Sequence, residues 1–172
     1  MADPVHQNPN LILSVGATVA RLRYLKLRKG KTVIAVMGFL SFLFGGCGNS
    51  GSFVTKQAFE KNLATQVALA PQTLQELRKH GVTDETRLKL EFFFYTDTEP
   101  KAVRLDRALK ELGYSVEFRP SAGDRKQLVI TGWTDKMAMD EASVVDWTRR
   151  MCQLGFDCDC EFDGWGTNPV QD

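Results

Sequence analysis

The spacing of apolar side chains predicts that strands and helices alternate along the second half of the chain. Every second position of residues 88–95 is apolar, which is typical of a strand with one buried face. These buried positions are Leu88, Leu90, Phe92 and Phe94. Further strands are predicted at 114–119, 127–133 and 156–163, with a hairpin turn at 120–124.

Two segments between these strands carry apolar residues at helical spacing. The first starts near Pro100 and ends at Gly113, and the second spans 139–154 and ends at Gly155. The inward positions of the first helix are Leu105, Ala108, Leu109 and Leu112. Those of the second helix are Val144, Trp147, Thr148 and Met151. Upstream, a helix is predicted from Thr55 to Leu69, and Pro71 is expected to interrupt it and start another helix that ends at Gly81.

The predicted order is strand, helix, strand, strand, helix, strand. Right-handed crossovers in this order give an α+β, ferredoxin-like βαββαβ sandwich with sheet order 4-1-3-2 and both helices on one face. The last strand then lies at an edge, antiparallel to 88–95. The other face of the sheet is expected to show Lys89, Glu91, Phe93 and Tyr95.

The last predicted strand, 156–163, has the most regular alternation in the sequence. Its expected buried side is Phe156, Cys158, Cys160 and Phe162, and its expected solvent side is Asp157, Asp159, Glu161 and Asp163. Gly164 and Gly166 then predict a turn that folds the indole of Trp165 back onto the end of the sheet.

The row of acids has two interpretations. Neighbours at i and i+2 on a strand lie about 6.6–6.8 Å apart, which is too far to share one Ca²⁺ ion without additional loops. Charged edge strands deter edge-to-edge aggregation, and they also suit docking of a protein. We therefore expect no metal site, and the predicted partner-binding residues are Asp157, Asp159, Glu161, Asp163 and Trp165.

The four cysteines do not indicate a disulfide or a zinc site. Cys158 and Cys160 point the same way from one predicted strand, which is poor geometry for a disulfide. Neither His6 nor His80 stands in a ligand motif. We expect buried, reduced thiols and no cofactor.

The N-terminal part of the chain resembles a bacterial lipoprotein signal. A basic segment, 21–31, precedes the apolar run 32–44, and Gly46 precedes Cys47, the predicted lipidation site. An uncleaved membrane anchor and a buried helix are the alternatives. We expect residues 1–47 to be a signal or anchor, 48–53 a flexible tether and 54–172 the folded domain.

Charge and motifs argue against catalysis and nucleic-acid binding. The net charge of +1 gives no overall attraction to nucleic acid. No nucleophile motif or phosphate-binding glycine loop is found in the sequence, so we expect no enzyme. Phe93, Tyr95 and Trp133 resemble a base-stacking surface, but the neighbouring acids would repel phosphate.

Two motifs resemble the RraB family of ribonuclease E regulators. They are Asp163-Gly164-Trp165-Gly166-Thr167, after an acidic and aromatic strand, and Leu112-Gly113-Tyr114, after the first crossover helix. The resemblance covers roughly residues 84–168 and implies a ferredoxin-like inhibitor that binds the ribonuclease protein and has no catalysis of its own. Lipidation at Cys47 outside the cytoplasm would favour instead a membrane-tethered module, of immunity or adaptor type, with an envelope partner.

Overall fold

The structure is a computed structural model that describes residues 34–35 and 51–170 of the 172-residue chain. The described residues form three helices and two antiparallel sheets, which confirms the α+β class. The helices are α1 (Lys56–Arg78), α2 (Glu99–Glu111) and α3 (Glu141–Asp157). The strands are β1 (Ile34–Ala35), β2 (Arg87–Leu88), β3 (Glu91–Thr96), β4 (Ser115–Pro120), β5 (Leu128–Trp133), β6 (Met137–Ala138) and β7 (Glu161–Thr167).

The larger sheet has the strand order β1-β7-β3-β5-β4, and each neighbouring pair is antiparallel. Strand β3 therefore lies between β7 and β5, and β4 and β5 form a hairpin. Strands β2 and β6 form a small second ribbon, which the sequence did not predict because each of its strands has only two residues.

The core lies between the larger sheet and helices α2 and α3. The predicted alternation over residues 88–95 is confirmed, because Leu88, Leu90, Phe92 and Phe94 are all buried, although the structure divides this stretch between β2 and β3. The rings of Phe94 and Phe162 lie 5.0 Å apart, which joins β3 to β7. Full burial of a side chain of this size stabilises the fold by roughly 1.5–3 kcal/mol. The inward positions predicted for α3 are all buried: Val144, Trp147, Thr148 and Met151.

Helix α1 is one continuous helix, so the predicted break at Pro71 is wrong. Proline inside a helix costs about 3 kcal/mol, because its ring clashes with the preceding turn and one hydrogen bond is lost. Packing on both sides of Pro71 offsets this cost. Phe59 stacks on Phe156 with a centroid distance of 4.3 Å, and Leu74 and Leu77 are buried in the core.

Helix α3 continues past Gly155, where the sequence predicted its end. A Cβ atom at Gly155 would lie 2.8 Å from the Phe94 ring and 2.7 Å from the carbonyl oxygen of Cys160. This glycine therefore permits close packing of α3 on the sheet and does not end the helix.

The predicted strand at 156–163 is wrong over its first half. The N–H of Cys160 donates to the carbonyl of Gly155 at 2.8 Å, and the N–H of Asp159 donates to that of Phe156 at 3.0 Å. With Asp159 at φ 57°, this is a Schellman-type helix end in which aspartate takes the usual place of glycine. The alternation seen in the sequence therefore spans a helix end, and β7 begins at Glu161.

The predicted turn at 163–167 is part of β7, and a β-bulge explains the difference. Phe94 pairs with Phe162, but Phe93 pairs with Gly164, so Asp163 is an extra residue in β7. The two residues opposite Phe93, Asp163 and Gly164, lie on the same side of the strand. Gly164 permits this with a φ of 120°, which glycine adopts more readily than other residues. The next residue, Trp165, pairs with Phe92 and is 3% exposed. The predicted burial of Trp165 is confirmed, although it lies in a strand and not in a turn.

The predicted apolar stripe of α2 is wrong at its last member. Leu112 is 55% exposed, because the helix ends at Glu111 and Leu112 is already its C-cap. Leu105 and Leu109 are fully buried, as predicted.

The predictions for residues 1–33 and 36–50, including Cys47, fall outside the described residues. In the part of the chain that the structure does describe, we find no helix with the length and apolar character needed to cross a membrane. Ile34 and Ala35 pair with Thr167 and Gly166 of β7. At the predicted tether, Ser52 and the backbone of Phe53 are hydrogen-bonded to Asp159, so ordered contacts begin before residue 54.

Candidate functional site

The candidate site is the face of the larger sheet that points away from α2 and α3. We name it the acidic sheet face. It is defined by Glu91, Phe93, Tyr95, Glu117, Thr131, Trp133, Glu161 and Asp163. Alternation along each strand sends these residues to the side opposite Phe92 and Phe94. No helix of the described residues lies on this side.

Strand register interleaves carboxylates with aromatic rings on this face. Glu91 pairs with Trp133, and Tyr95 pairs with Glu161. Thr131 lies between Phe93 on one side and Glu117 on the other. Directly opposed residues have Cβ atoms about 4.5–5.5 Å apart, so the rings and carboxylates form one continuous surface.

A shallow cavity of about 290 Å³ lies at the β4–β5 end of the face. Its lining includes Glu91, Glu117, Thr131 and Trp133. The hydroxyl of Thr131 is buried without a hydrogen-bond partner in the structure. Such a hydroxyl is costly unless a polar group reaches it, so this end of the face suits a polar contact.

The carboxyl of Glu91 is in an unfavourable environment for a charge. Burial raises the pKa of Glu91 to about 7, the nearby Arg119 lowers it, and Glu117 raises it. Arg119 itself pairs with Glu117, with 3.0 Å between Nη1 and Oε1. Glu91 is therefore less well compensated than Glu117.

The carboxyl of Asp163 is in a still less favourable environment for a charge than that of Glu91. It is 8% exposed, and its Oδ2 atom has no hydrogen-bond partner in the structure. Burial raises the pKa of Asp163 to about 8, and the neighbouring charge of Glu161 adds to the increase. Burial also raises the pKa of Glu161. Asp163 lies on the same side as Glu161 by alternation, and the bulge that follows sends Trp165 to the opposite side, into the core.

The structure divides the five predicted binding residues and does not place them in one row. Only Glu161 and Asp163 lie on the acidic sheet face. Asp157 is exposed at the last position of α3, where it accepts a hydrogen bond of 2.8 Å from Gln153. Trp165 is buried, and its ring lies 6.3 Å from that of Trp147.

Asp159, the fifth predicted residue, joins the segment before α1 to the start of β7. Its Oδ1 accepts bonds from the Ser52 hydroxyl at 2.6 Å and the Val54 N–H at 2.8 Å. Its Oδ2 accepts a bond from the Phe53 N–H at 3.0 Å and lies 2.7 Å from Nζ of Lys101. The carboxylate is therefore occupied by groups of its own chain.

The pKa of Asp159 moves in the opposite direction from that of Asp163. Burial alone would raise it, but the bonds from Lys101, Ser52 and the two backbone N–H groups outweigh burial and lower it. Each of these donors favours the charged carboxylate. Asp159 is thus held as an anion by groups of its own chain.

The prediction of buried, reduced thiols is confirmed for Cys152, Cys158 and Cys160, which are all free. Burial raises the pKa of Cys152 and Cys160 to about 12, so both remain protonated at neutral pH. In the described residues, no group of three or more potential ligands is placed to hold a metal ion.

Glu117 and Thr131 are site residues that the sequence analysis did not single out. A signal for Glu117 was present, because Ser115-Val116-Glu117-Phe118-Arg119 alternates polar and apolar residues. The pairing of β4 with β5 places Glu117 opposite Thr131, and only knowledge of that register supplies this contact.

A family model described as regulator of ribonuclease activity B (RraB) matches residues 70–167, which is more than half of the chain. The matched region contains every residue of the acidic sheet face. The curated proteins contain no match to this chain.

Proposed function

Because the chain belongs to the RraB family, we propose that it is a non-catalytic regulator that binds a ribonuclease protein, resembling the inhibitors of ribonuclease E. The described strand and helix order supports a ferredoxin-like arrangement of the matched region. The regulated ribonuclease is the partner, and its RNA substrate is not.

The acidic sheet face is the observation that carries this proposal. Its aromatic residues, Phe93, Tyr95 and Trp133, are each partly exposed, and aromatic anchors dominate the energetics of many protein interfaces. Around them lie the carboxyls of Glu91 and Glu161, which favour a basic protein surface and disfavour the phosphates of RNA. A protein partner therefore fits this face better than a nucleic acid.

An inhibition assay tests the proposal directly. Purified ribonuclease E and a labelled RNA substrate are mixed with increasing amounts of the full chain, and cleavage is followed on gels. We expect cleavage to slow as the chain is added and no cleavage by the chain alone. Direct binding of the labelled RNA to the chain, or RNA cleavage without ribonuclease E, would contradict the proposal.

Charge reversal locates the inhibitory surface. Glu161→Lys places a cation on the acidic sheet face and should reduce inhibition at least tenfold, since a like charge opposes a basic partner. Glu141→Lys, at the exposed start of α3 on the other side of the sheet, is the matched control and should inhibit like the native chain. Equal inhibition by all three proteins would remove the acidic sheet face from the interface.

Lipidation of Cys47 stays a prediction. Membrane attachment is compatible with ribonuclease regulation only if the domain faces the compartment that contains the ribonuclease. Processing at Cys47 would remove β1, whose pairing with Gly166 and Thr167 favours a chain that retains these residues. We therefore propose that the domain faces the cytoplasm with residues 1–47 retained.

The intact mass of the protein from cells tests retention. The full-length mass, unchanged by Cys47→Ser, is expected for a retained N-terminus. A shorter, acylated product that disappears in Cys47→Ser would instead support the membrane-tethered lipoprotein module with an envelope partner.

A further inference from the structure

We propose that the basic segment Arg21–Lys31 of this chain docks on its own acidic sheet face. The inference goes beyond ribonuclease binding and stands whichever partner the protein has. It is carried by an unpartnered carboxyl, by the position of β1 and by the charges of the two surfaces.

One carboxyl of the acidic sheet face, that of Asp163, has an oxygen without a partner. It is more than nine-tenths buried, it faces the acidic sheet face from the bulge, and its Oδ2 has no hydrogen-bond partner. A buried carboxyl without a donor is unfavourable, and a lysine or arginine beside it relieves that cost. Burial raises the pKa of Asp163 to about 8, which agrees with a missing cation.

Strand β1, which follows the basic segment in the chain, pairs with β7 of the larger sheet. Ala35 pairs with Gly166, and Gly166 pairs on its other side with Glu91. Glu91 is thus two strand spacings from Ala35, which is about 9.4–9.8 Å. Lys31 is four residues before Ala35, and four residues span up to about 13–14 Å. The end of the basic segment is therefore within reach of Glu91.

Asp163 is also within reach of the segment. It lies three residues, about 10 Å, before Gly166 along β7, and Gly166 is one strand spacing of about 4.8 Å from Ala35, so Asp163 is about 11 Å from Ala35. Lys29 and Arg28 are six and seven residues before Ala35, and that length of chain spans up to about 20–25 Å. The antiparallel register directs the chain before Ile34 past Thr167, so it must turn back over the face, and its length is sufficient to place a cation beside Asp163.

The basic segment and the acidic sheet face carry charges of opposite sign. Six cations fall within eleven residues of this segment: Arg21, Arg23, Lys26, Arg28, Lys29 and Lys31. The face presents the carboxyls of Glu91, Glu117, Glu161 and Asp163. Two described cations belong to the same region: Arg119, which pairs with Glu117, and Lys89, two residues before Glu91 in the sequence. When its four carboxyls are ionised, the face therefore has more negative than positive charges and complements the segment.

Docking has a consequence for any basic partner. A partner that uses the acidic sheet face must displace residues 21–31. The basic segment and the partner therefore compete for the same surface. Binding of that partner should then be weaker to the native chain than to a variant in which the basic segment is neutralised.

Zero-length crosslinking tests the inference on the full chain. A water-soluble carbodiimide joins a lysine amine to a carboxylate only where the two are in contact, and mass spectrometry maps the joined residues. We expect intrachain links from Lys26, Lys29 or Lys31 to the acids of the face. Links to the exposed Glu111 and Glu141, on helices on the other side of the sheet, serve as the background.

Mixing chains labelled with ¹⁴N and ¹⁵N separates contact within a chain from contact between chains. Links confined to like-labelled chains support the inference. Mixed-label links in statistical proportion would overturn it and indicate a second copy as the occupant. Links to the face no more frequent than those to Glu111 and Glu141 would also overturn it.

A titration gives a second, independent readout. In the full chain, docked cations should hold the pKa of Asp163 about 1–3 units lower than in Lys26→Glu/Arg28→Glu/Lys29→Glu, measured by carboxyl carbon NMR. The matched control reverses three exposed cations elsewhere, Lys61→Glu/Arg107→Glu/Lys126→Glu, and should leave this pKa near its native value. Equal pKa values in the native chain and the first variant would contradict docking.

Discussion

Asp159 and Asp163 lie four residues apart and are both largely shielded from water, yet their surroundings are opposite. Asp159, at the helix end before β7, accepts bonds from Ser52, Phe53 and Val54 and pairs with Lys101. Asp163, in the bulge of β7, has an oxygen without a partner. The first carboxylate stabilises the fold as an anion, whereas the second is more stable when protonated.

The difference shows that backbone geometry, and not the acidic pattern, decides the role of each carboxylate. The positive φ of Asp159 turns its side chain toward the segment before α1. Asp163 keeps the side that alternation from Glu161 gives it, and the extra residue in β7 sends Trp165 to the other side. One carboxylate is therefore used for folding, and the other remains available for a cation from elsewhere.

Trp165→Ala should have the largest effect, because the bulge in β7 sends Trp165 into the core, away from the side of Asp163. Removing a buried aromatic side chain costs roughly 3–5 kcal/mol of unfolding free energy. Denaturant unfolding monitored by circular dichroism measures it. Trp133→Ala, which removes a partly exposed indole from the acidic sheet face, is the control and should cost clearly less. Equal losses would mean that the bulge does not separate the two sides of the sheet as described.

Asp159→Ala should come next, with a loss of about 2–4 kcal/mol, since hydrogen bonds to charged groups contribute about 1.5–3 kcal/mol each and Asp159 is partly solvated. Asp159→Gly keeps the left-handed helix end but loses the same side-chain bonds. If the carboxylate is what matters, the two variants should lose similar amounts. A glycine variant as stable as the native protein would show that the backbone turn, and not the bonding, is decisive.

The pH dependence of Asp159 has a defined sign. Its folded-state pKa lies below the ordinary 3.8, so its contribution is present above that pH. The contribution is lost as the pH falls through 3.8 toward the folded-state value. The native protein should therefore lose more stability than Asp159→Ala between pH 5 and pH 2.

The sequence predicted those parts of the fold in which local periodicity and tertiary packing agree. Strand β3 and the inner positions of α3 are examples, because their alternation or helical spacing is matched by full burial. Sequence reasoning failed at Gly155 and Pro71, where tertiary contacts override the usual local preference. A glycine that permits packing against Phe94 cannot be distinguished by sequence from one that ends a helix.

The candidate site was predicted only in part for a related reason. Glu161 and Asp163 were correctly placed on one side of the last strand, but this strand was expected to end at Asp163, with Trp165 in a turn. The strand instead continues through a bulge to Thr167, and a single sequence gives no count of residues in the partner strand. The bonding of Asp159 to Ser52 joins residues more than 100 positions apart and has no local signal.

Asp163→Asn should have the opposite sign from Asp159→Ala. With no cation beside it, as in the charge-reversed variant Lys26→Glu/Arg28→Glu/Lys29→Glu, Asp163 has a folded-state pKa raised to about 8 from 3.8, so that protein loses stability as the pH rises through this range. Removing the ionisable group should stabilise the protein by about 1–3 kcal/mol at pH 8. A pKa raised by roughly four units corresponds to an upper limit of about 1.4 kcal/mol for each unit. The expected gain is smaller than this limit, because the amide of asparagine also lacks a hydrogen-bond partner.

Unfolding of the charge-reversed variant is compared with and without Asp163→Asn at pH 4 and pH 8. The two proteins should be close in stability at pH 4, and the gain should be seen only at pH 8. Glu91 and Glu161 also have raised pKa values, so both proteins keep some residual slope. A loss of stability from Asp163→Asn at both pH values would mean that another group donates to Asp163.

Asp157→Asn should have the smallest effect and completes the comparison, because this acid is neither bonded like Asp159 nor buried like Asp163. It is exposed at the last position of α3, where a negative charge opposes the helix dipole. Asparagine retains an oxygen that can accept the bond from Gln153. We therefore expect a gain of about 0.3–0.5 kcal/mol in low salt that disappears in 1 M salt, measured by thermal unfolding. A loss of more than about 1 kcal/mol would show that Asp157, too, has a structural role that exposure and distance do not reveal.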